Sequence, residues 1–464
     1  MLKQIAFCLT IFSVFFCKNA QCQRSILPTK EQVAWADAEM GVIIHLDINI
    51  FAPNSFQYND PATLPDVNVF NPSKLNTDQW IKTAKAAGAT YAVLTVKHGT
   101  GFCLWPSKVN NYNVGHTSWG NGKNDILKSF IASCKKYGVK PGLYYNTNTN
   151  TFYNAGSNSF VNDSAQLAYK NAVLAQLEEL WSNYGKVFEI WFDGGLTSAG
   201  KFGLKKAVLE LISQHQPQAI LFQGPVEAKN IIRWIGNEDG VAAYPQWSRS
   251  YATTAANGLT QIDDLHGNPA GKIWCPGESD FPIRRNTAWN GGWLWKEGQE
   301  NYLFTVKELT DKYYSSVGRN SNMLIGMVVN TSGLIPTQDS ILFDSLGKKI
   351  NSLFNNVVAK TKNVTQKITE IKLPSSQRVS QVVIQEDITK GENIRSYSIE
   401  AWMDNQWKKV AEGQSVGHKR IQSFSPVNTN KLRLTIGNAE GRVNIKYLGF
   451  YNVNLSPATS LNGH

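Results

Sequence analysis

Val187–Gly195 reads VFEIWFDGG, and this stretch decides the fold. Hydrophobic and aromatic residues surround Glu189, and the run stops at Asp193 before two glycines. A short apolar run closed by a glycine turn reads as a buried strand. Side chains alternate along a strand, so Trp191 and Asp193 share one face and Phe192 takes the other. A carboxylate at the C-terminal end of a buried strand is where a β/α barrel carries its chemistry. An aspartate before Gly-Gly equally suits a turn or a helix N-cap, so the flanking chain has to choose.

On the N-terminal side, the apolar run Gly41–Asp47 (GVIIHLD) is followed by a loop rich in Asn, Pro and Asp over Asn49–Asp66. A helix over Asp78–Ala87 stops at Gly88 before a strand, Thr90–Val96. A second helix, Asp125–Tyr137, stops at Gly138 before a strand, Lys140–Tyr145. The long amphipathic helix Asp163–Tyr184, capped by Asn162 or Asp163 and closed by Gly185, leads into Val187–Asp193. Beyond it come a helix at Leu204–His215, strands at Ala219–Gln223 and Ile231–Ile235, and, after a long insertion, Ile273–Pro276. A helix at Glu300–Val317, a strand at Asn322–Val328 and a closing helix at Gln338–Phe354 complete the series. Strands alternating with helices in this number predict a (β/α)8, TIM-like barrel. A doubly wound sheet would be expected to carry GxGxxG after an early strand, and the sequence has none there.

Helical periodicity ends near Val357. Short alternating stretches replace it at Val379–Gln385, Ile394–Met403, Trp407–Val410, Lys431–Ile436 and Val443–Val453, separated by turns such as Asp404-Asn405 and Gly437-Asn438. This predicts an all-β sandwich. The expected organisation is a leader over 1–22, a barrel domain over 23–355, a sandwich over 356–455 and a tail over 456–464.

The leader has a charged start at Lys3, an apolar stretch at Ile5–Phe16 and a cleavage zone at Asn19-Ala20-Gln21-Cys22. Its apolar stretch is too short for a transmembrane helix, and no later run reaches that length. Asn19-Ala20-Gln21 is a poor match to a lipobox, so no lipid anchor at Cys22 is expected. A periplasmic or secreted protein is predicted. Past the leader, Cys103, Cys134 and Cys275 are too few and too scattered for a disulfide framework, and buried free thiols are expected. The histidines show no metal-ligand spacing, so neither metal nor cofactor is expected. The net charge of +11 is spread along the chain without a dense basic run, which argues against nucleic acid. The 14 Trp and 17 Tyr point mildly toward sugar, whose ring faces stack on aromatic ones.

Cleaving a glycosidic bond commonly takes two carboxyl groups. Asp193 is the first candidate. For the second, IIRWIGNEDG (Ile231–Gly240) offers Glu238 just past a strand, and IWCPGESDFPIRRNTAW (Ile273–Trp289) offers Glu278 in a loop. The residues by themselves do not choose between them.

Four stretches in order resemble glycoside hydrolase family 29, the α-L-fucosidases: Gly41–His45, Trp80–Ser107 (ending GATYAVLTVKHGTGFCLWPS), Gly138–Tyr145 and Trp191–Gly194. RWIGNEDG (Arg233–Gly240) is similar to the branch acting on α-1,3/1,4-linked fucose. The resemblance implies Asp193 as nucleophile and Glu238 as acid/base. It implies a sugar pocket lined by His45, His98, Trp191 and one of Tyr144 or Tyr145, with Glu278 and Trp289 as further contacts. A fucosylated oligosaccharide or glycoconjugate would be the substrate. Two departures stand out. Gly99 stands where the family usually has a second histidine, and Leu46-Asp47 where it has glycine. One ring-hydroxyl contact is then missing or supplied from elsewhere, and a galactose-like glycone stays open. A glycan-binding protein whose barrel has lost catalysis is the competing reading. Ile384–Trp402, Trp407, Ser415–Phe424 and Asn430–Ile436 resemble a discoidin-like (factor V/VIII type C) module, which implies either glycan binding or packing on the barrel.

Overall fold

The computed structural model describes residues 26–155, 162–196, 204–254, 260–262 and 265–453. The expected leader and tail lie outside the described residues. Eight parallel strands form a closed barrel: β1 (Met40–His45), β2 (Tyr91–Lys97), β3 (Lys140–Asn146), β4 (Glu189–Asp193), β5 (Ile220–Phe222), β6 (Ile231–Trp234), β7 (Gly277–Pro282) and β8 (Ser321–Val328). Each pairs with its sequence neighbours, and β8 closes the ring on β1. Every residue of β1, β2 and β8 is buried, as in a parallel sheet covered by helices.

The helices start and stop where short polar signals place them. Thr29 caps α1 (Lys30–Ala36) through the Gln32 N–H, Asn76 caps α2 (Thr77–Ala86) through the Gln79 N–H, and Asp125 caps α3 (Ile126–Tyr137) through the Lys128 N–H. Gly138 ends α3 in the left-handed region at φ 69°, which a side chain would resist. Asn162 opens α4 (Asp163–Asn183), and α5 spans Leu204–His215. Expected as one helix from Glu300, the next segment is a short 3-10 turn at Glu300–Tyr302 followed by α6 (Val306–Ser315). A capping box between Thr305 and Glu308 sets that later start. The last barrel helix is α7 (Thr337–Ser352).

The seventh strand corrects the sequence reading. Ile273–Trp274 pairs antiparallel with Arg249–Ser250 outside the barrel, and the barrel strand is GESDFP, which looks like loop. Its polar side chains find partners within the barrel: Glu278 accepts from Trp191 and Tyr91, and Asp280 from Trp234. Tertiary pairing overrides the weak strand propensity of Gly, Ser, Asp and Pro.

Side-chain alternation divides the core into two layers. Ile43, Tyr91, Tyr144, Trp191, Phe222 and Leu324 fill the barrel, whereas Val42, Ile44, Tyr145 and Phe192 pack outward under the helices. Trp191 and Phe192 thus take opposite faces, as the strand period requires.

The C-terminal segment forms one six-stranded antiparallel sheet: β9 (Val357–Val364), β10 (Ile368–Glu386), β11 (Ile394–Met403), β12 (Gln406–Gly413), β13 (Arg420–Ala439) and β14 (Ile445–Tyr451), in the order β9-β14-β10-β13-β11-β12. The pairing of β10 with β13 shifts register between Lys372 and Gln377 and again between Val379 and Gln381. Such irregularities bend strands and let this one sheet curl round its own core of Val382, Ile399, Leu434 and Phe450. It sits at the N-terminal end of the barrel strands. His418 and Lys446 bond Asp37, which precedes β1. Glu392 is held by Ser248 and by Asn320, which precedes β8. The hydrogen bond and charge of His418 hold the Asp37 carboxyl down at about 2. Among the described residues no helix is long and apolar enough to cross a membrane.

Candidate active site

Asp193 is the last residue of β4, at the end of the barrel opposite the C-terminal sheet. Gly194 and Gly195 turn the chain away with φ of 68° and 66°. A Cβ on Gly194 would lie 2.7 Å from that of Asn148, so both backbone and space require glycine there. Asp193 is opposite Asn146 in the β3–β4 register, and Trp191 is opposite Tyr144. The Tyr144 hydroxyl donates to Asp193 Oδ2 at 2.5 Å and Asn146 Nδ2 donates to the same oxygen at 2.8 Å. Two donors from one rigid strand hold the carboxylate in one orientation. Asn146 was outside the sequence-based strand, which stopped one residue short. Its position, two past Tyr144, is the signal that would have found it.

An aromatic wall descends from this carboxylate. His98 stacks on Tyr144 at 5.7 Å and 18°, Tyr144 on Trp191 at 5.3 Å and 19°, and Trp191 on Phe222 at 3.9 Å and 6°. His45, at the end of β1, meets His98 and Tyr144 edge-on and lies 5.1 Å from the Trp293 ring. Burial, helped by the nearby His98, pushes the His45 imidazole down to about 3, so it is neutral at ordinary pH. Its Nδ1 faces the Ile43 carbonyl at 3.4 Å, which favours the proton on that nitrogen and a lone pair on Nε2.

Glu238 lies past the C-terminal end of β6, exposed, and accepts a 2.8 Å hydrogen bond from Trp293 Nε1. Trp293 in turn contacts His45 and Tyr144 contacts Asp193, so both carboxylates border one ring of side chains. Glu278 is elsewhere. It is fully buried near the start of β7, accepting from Trp191 Nε1 at 3.0 Å and from the hydroxyl of Tyr91, the first residue of β2, at 2.8 Å. Burial pushes its carboxyl up to about 7, and burial together with the Glu278 charge pushes neighbouring Glu189 well above the carboxylate range. This buried pair belongs to the barrel floor, which corrects the expected sugar contact.

Two further candidates pack with the helix-side core. Tyr145 faces outward and donates to Gln176 of α4 at 2.6 Å, so Tyr144 is the member of the pair that reaches the mouth. Trp289 packs against the helix-side core, its backbone N–H donating to Gln299 Oε1 at 2.8 Å, whereas Trp293 packs with the barrel interior. Alternation explains the first exchange. The second turns on a 3-10 turn at Trp289–Gly292 that sequence spacing did not reveal. Sequence reasoning also missed Asp280, buried beneath Glu238 and bonded by Trp234 at 2.7 Å. Burial and the charges of Glu238 and Glu278 push its carboxyl well up.

The family model for α-L-fucosidase matches residues 30–352 of this chain. The chain belongs to the α-L-fucosidases. It is 30% identical to alpha-L-fucosidase 1 of Arabidopsis thaliana, over 94% of this chain and 89% of that one. A Bacteroides thetaiotaomicron structure, described as a candidate α-L-fucosidase, superposes with a TM-score of 0.84 at 34% identity, covering 92% of this chain and all of its own. A glycoside hydrolase family 29 member from a rumen bacterium gives 0.79 at 28% identity, covering 94% and 79%. A fucosidase of this family is a glycoside hydrolase, and the barrel mouth around Asp193 has the carboxylates and ring faces that glycoside chemistry uses.

Proposed function

We propose that this fucosidase is an exo-acting, retaining enzyme that removes terminal α-1,3/1,4-linked fucose from oligosaccharides or glycoconjugates by double displacement. The observation that carries the proposal is Asp193 at the end of β4, oriented by Tyr144 and Asn146. In this reading an Asp193 oxygen attacks C1 of the sugar, and the bond from C1 to the aglycone oxygen breaks. Glu238 gives its proton to that leaving oxygen. A covalent fucosyl-enzyme with inverted configuration results. Water then attacks C1, Glu238 takes the water's proton, and Asp193 leaves, restoring the original configuration. Retaining chemistry needs the two carboxyl groups about 5–5.5 Å apart when sugar is bound. Neutral His45 suits a sugar hydroxyl, and the faces of Tyr144 and Trp293 suit the C6 methyl group. The leader supports export to the periplasm or outside the cell. The discoidin-like module, bonded to Asp37, Ser248 and Asn320 at the far end of the barrel, supports a bracing role.

Nitrophenol release from aryl α-L-fucoside and aryl β-D-galactoside, by wild type and Asp193→Ala, tests the reaction class and the glycone together. Fucoside turnover lost on substitution is the expected result. Proton NMR of early product should show α-L-fucose first. The β-anomer first would refute retention, and equal rates on α-1,2- and α-1,3/1,4-linked fucosides would refute the linkage.

A further inference from the structure

Gly99 follows His98, and the space its side chain would occupy is already filled. A Cβ added there would lie 2.8 Å from Tyr58 Cε1 and 3.1 Å from Cδ1, closer than packed carbons come. The backbone at Gly99 is outside the left-handed region, so it is the Tyr58 ring and not the local conformation that excludes a side chain. Tyr58 enters from the long loop between β1 and α2 and packs edge-on against His98, with ring centroids 6.1 Å apart.

Its hydroxyl has defined neighbours. Asn49 Nδ2 donates to it at 3.3 Å, and His98 Nδ1 lies 3.3 Å away. Asp47 Oδ2 is 3.6 Å from the same imidazole nitrogen. That carboxylate is anchored by its other oxygen, which accepts from Thr100 Oγ1 at 2.6 Å and the Ile48 N–H at 2.7 Å, while Oδ2 is buried and accepts no hydrogen bond. A buried carboxylate beside Nδ1 favours the proton on Nδ1. The Tyr58 oxygen then accepts from Asn49 and His98, and its own O–H is left to point elsewhere. Burial and the charges of Asp47 and Asp193 hold the phenol far above its ordinary range, so it is a neutral donor in the field of Asp193. That donor stands beside the His98 ring at the mouth.

We propose that Tyr58, seated over Gly99 and oriented by Asn49 and His98, contacts the bound sugar as a specificity-determining residue, its O–H donating to one ring hydroxyl. The proposal rests on the fucosidase reading above. Asp47 and Gly99, the two departures from the family pattern, become parts of one unit: Gly99 admits the ring, and Asp47 sets the His98 tautomer.

The test is kcat/KM for wild type and Tyr58→Phe on aryl α-L-fucoside and its 2-, 3- and 4-deoxy analogues. Phenylalanine keeps the ring that fills the Gly99 space and removes only the hydroxyl. The variant should lose about tenfold on the parent, the size of one hydrogen bond. That loss should vanish on the one analogue lacking the contacted hydroxyl and persist on the other two. Gly99→Ala, which pushes on the ring, should show the same pattern and add little to Tyr58→Phe. An equal loss on all four substrates, or none on the parent, overturns the proposal while leaving the fucosidase reading intact. Wild type inert on the parent overturns both.

Discussion

Tyr144 donates its hydroxyl to Asp193 from the neighbouring strand, 2.5 Å away, while its ring is held between His98 and Trp191. The position of the bond is therefore set by stacking and by strand register rather than by a mobile loop. Removing the hydroxyl should leave the ring in place. Tyr144→Phe is expected to lower kcat by about tenfold to a hundredfold with little change in KM, because a bond to the attacking carboxylate matters most as its charge moves. Steady-state kinetics on aryl α-L-fucoside check this, and an unchanged kcat would refute it.

Trp293 and Trp289 should respond differently. Trp293 bonds Glu238, so Trp293→Phe should impair fucosides with poor leaving groups, which need protonation, more than activated aryl fucosides. Trp289→Phe should treat both alike. Comparing the two substrate classes for each variant separates the roles, and the same selective loss in Trp289→Phe would contradict the placement.

Glu278 gives a stability signature. Its folded value, about 7, is above the unfolded carboxylate value, so the native state holds the extra proton between the two. Stability should fall as pH rises from about 4.5 to 7 through this group. Glu278→Gln removes that slope. Denaturant midpoints should show the variant gaining on wild type at pH 8 relative to pH 5, with fucoside turnover retained. Abolished turnover in a folded variant would return Glu278 to the site.

Lys97 has the opposite sign. It is fully buried, its Nζ donates to the Asn146 carbonyl at 2.5 Å and lies 4.1 Å from the Tyr145 ring centroid. Burial pulls its ammonium down to about 7. Between about 7 and 10.5 the unfolded chain binds the proton and the native state does not, so this group makes stability rise with pH across that window. The rise is on the order of a few kcal/mol. Lys97→Met should flatten it, as chemical denaturation at pH 7 and 9 would show, and an undiminished rise would refute the assignment.

The barrel was legible because most of its strands carry period-two or continuous apolar patterns with glycine or asparagine punctuation. Gly138 and Asn162 mark helix ends by backbone geometry and side-chain capping, both local effects. Asp193 was legible for the same reason, ending an apolar run at a glycine pair. GESDFP was not, since its strand conformation depends on partners such as Trp191, Tyr91 and Trp234, which are 46 to 187 residues away in sequence.

Sequence alone determined the alternation of strands and helices, the family, and the face on which Trp191 and Asp193 lie, because each follows from local periodicity and short ordered motifs. Tertiary structure alone decided that Glu278 lies in the floor while Glu238 lies beyond a strand end, that Trp293 packs with the barrel interior and Trp289 with the helix-side core, and that Tyr58 fills the space over Gly99. Those outcomes depend on how strands register and where long loops return, and neither is encoded in the spacing of the residues concerned.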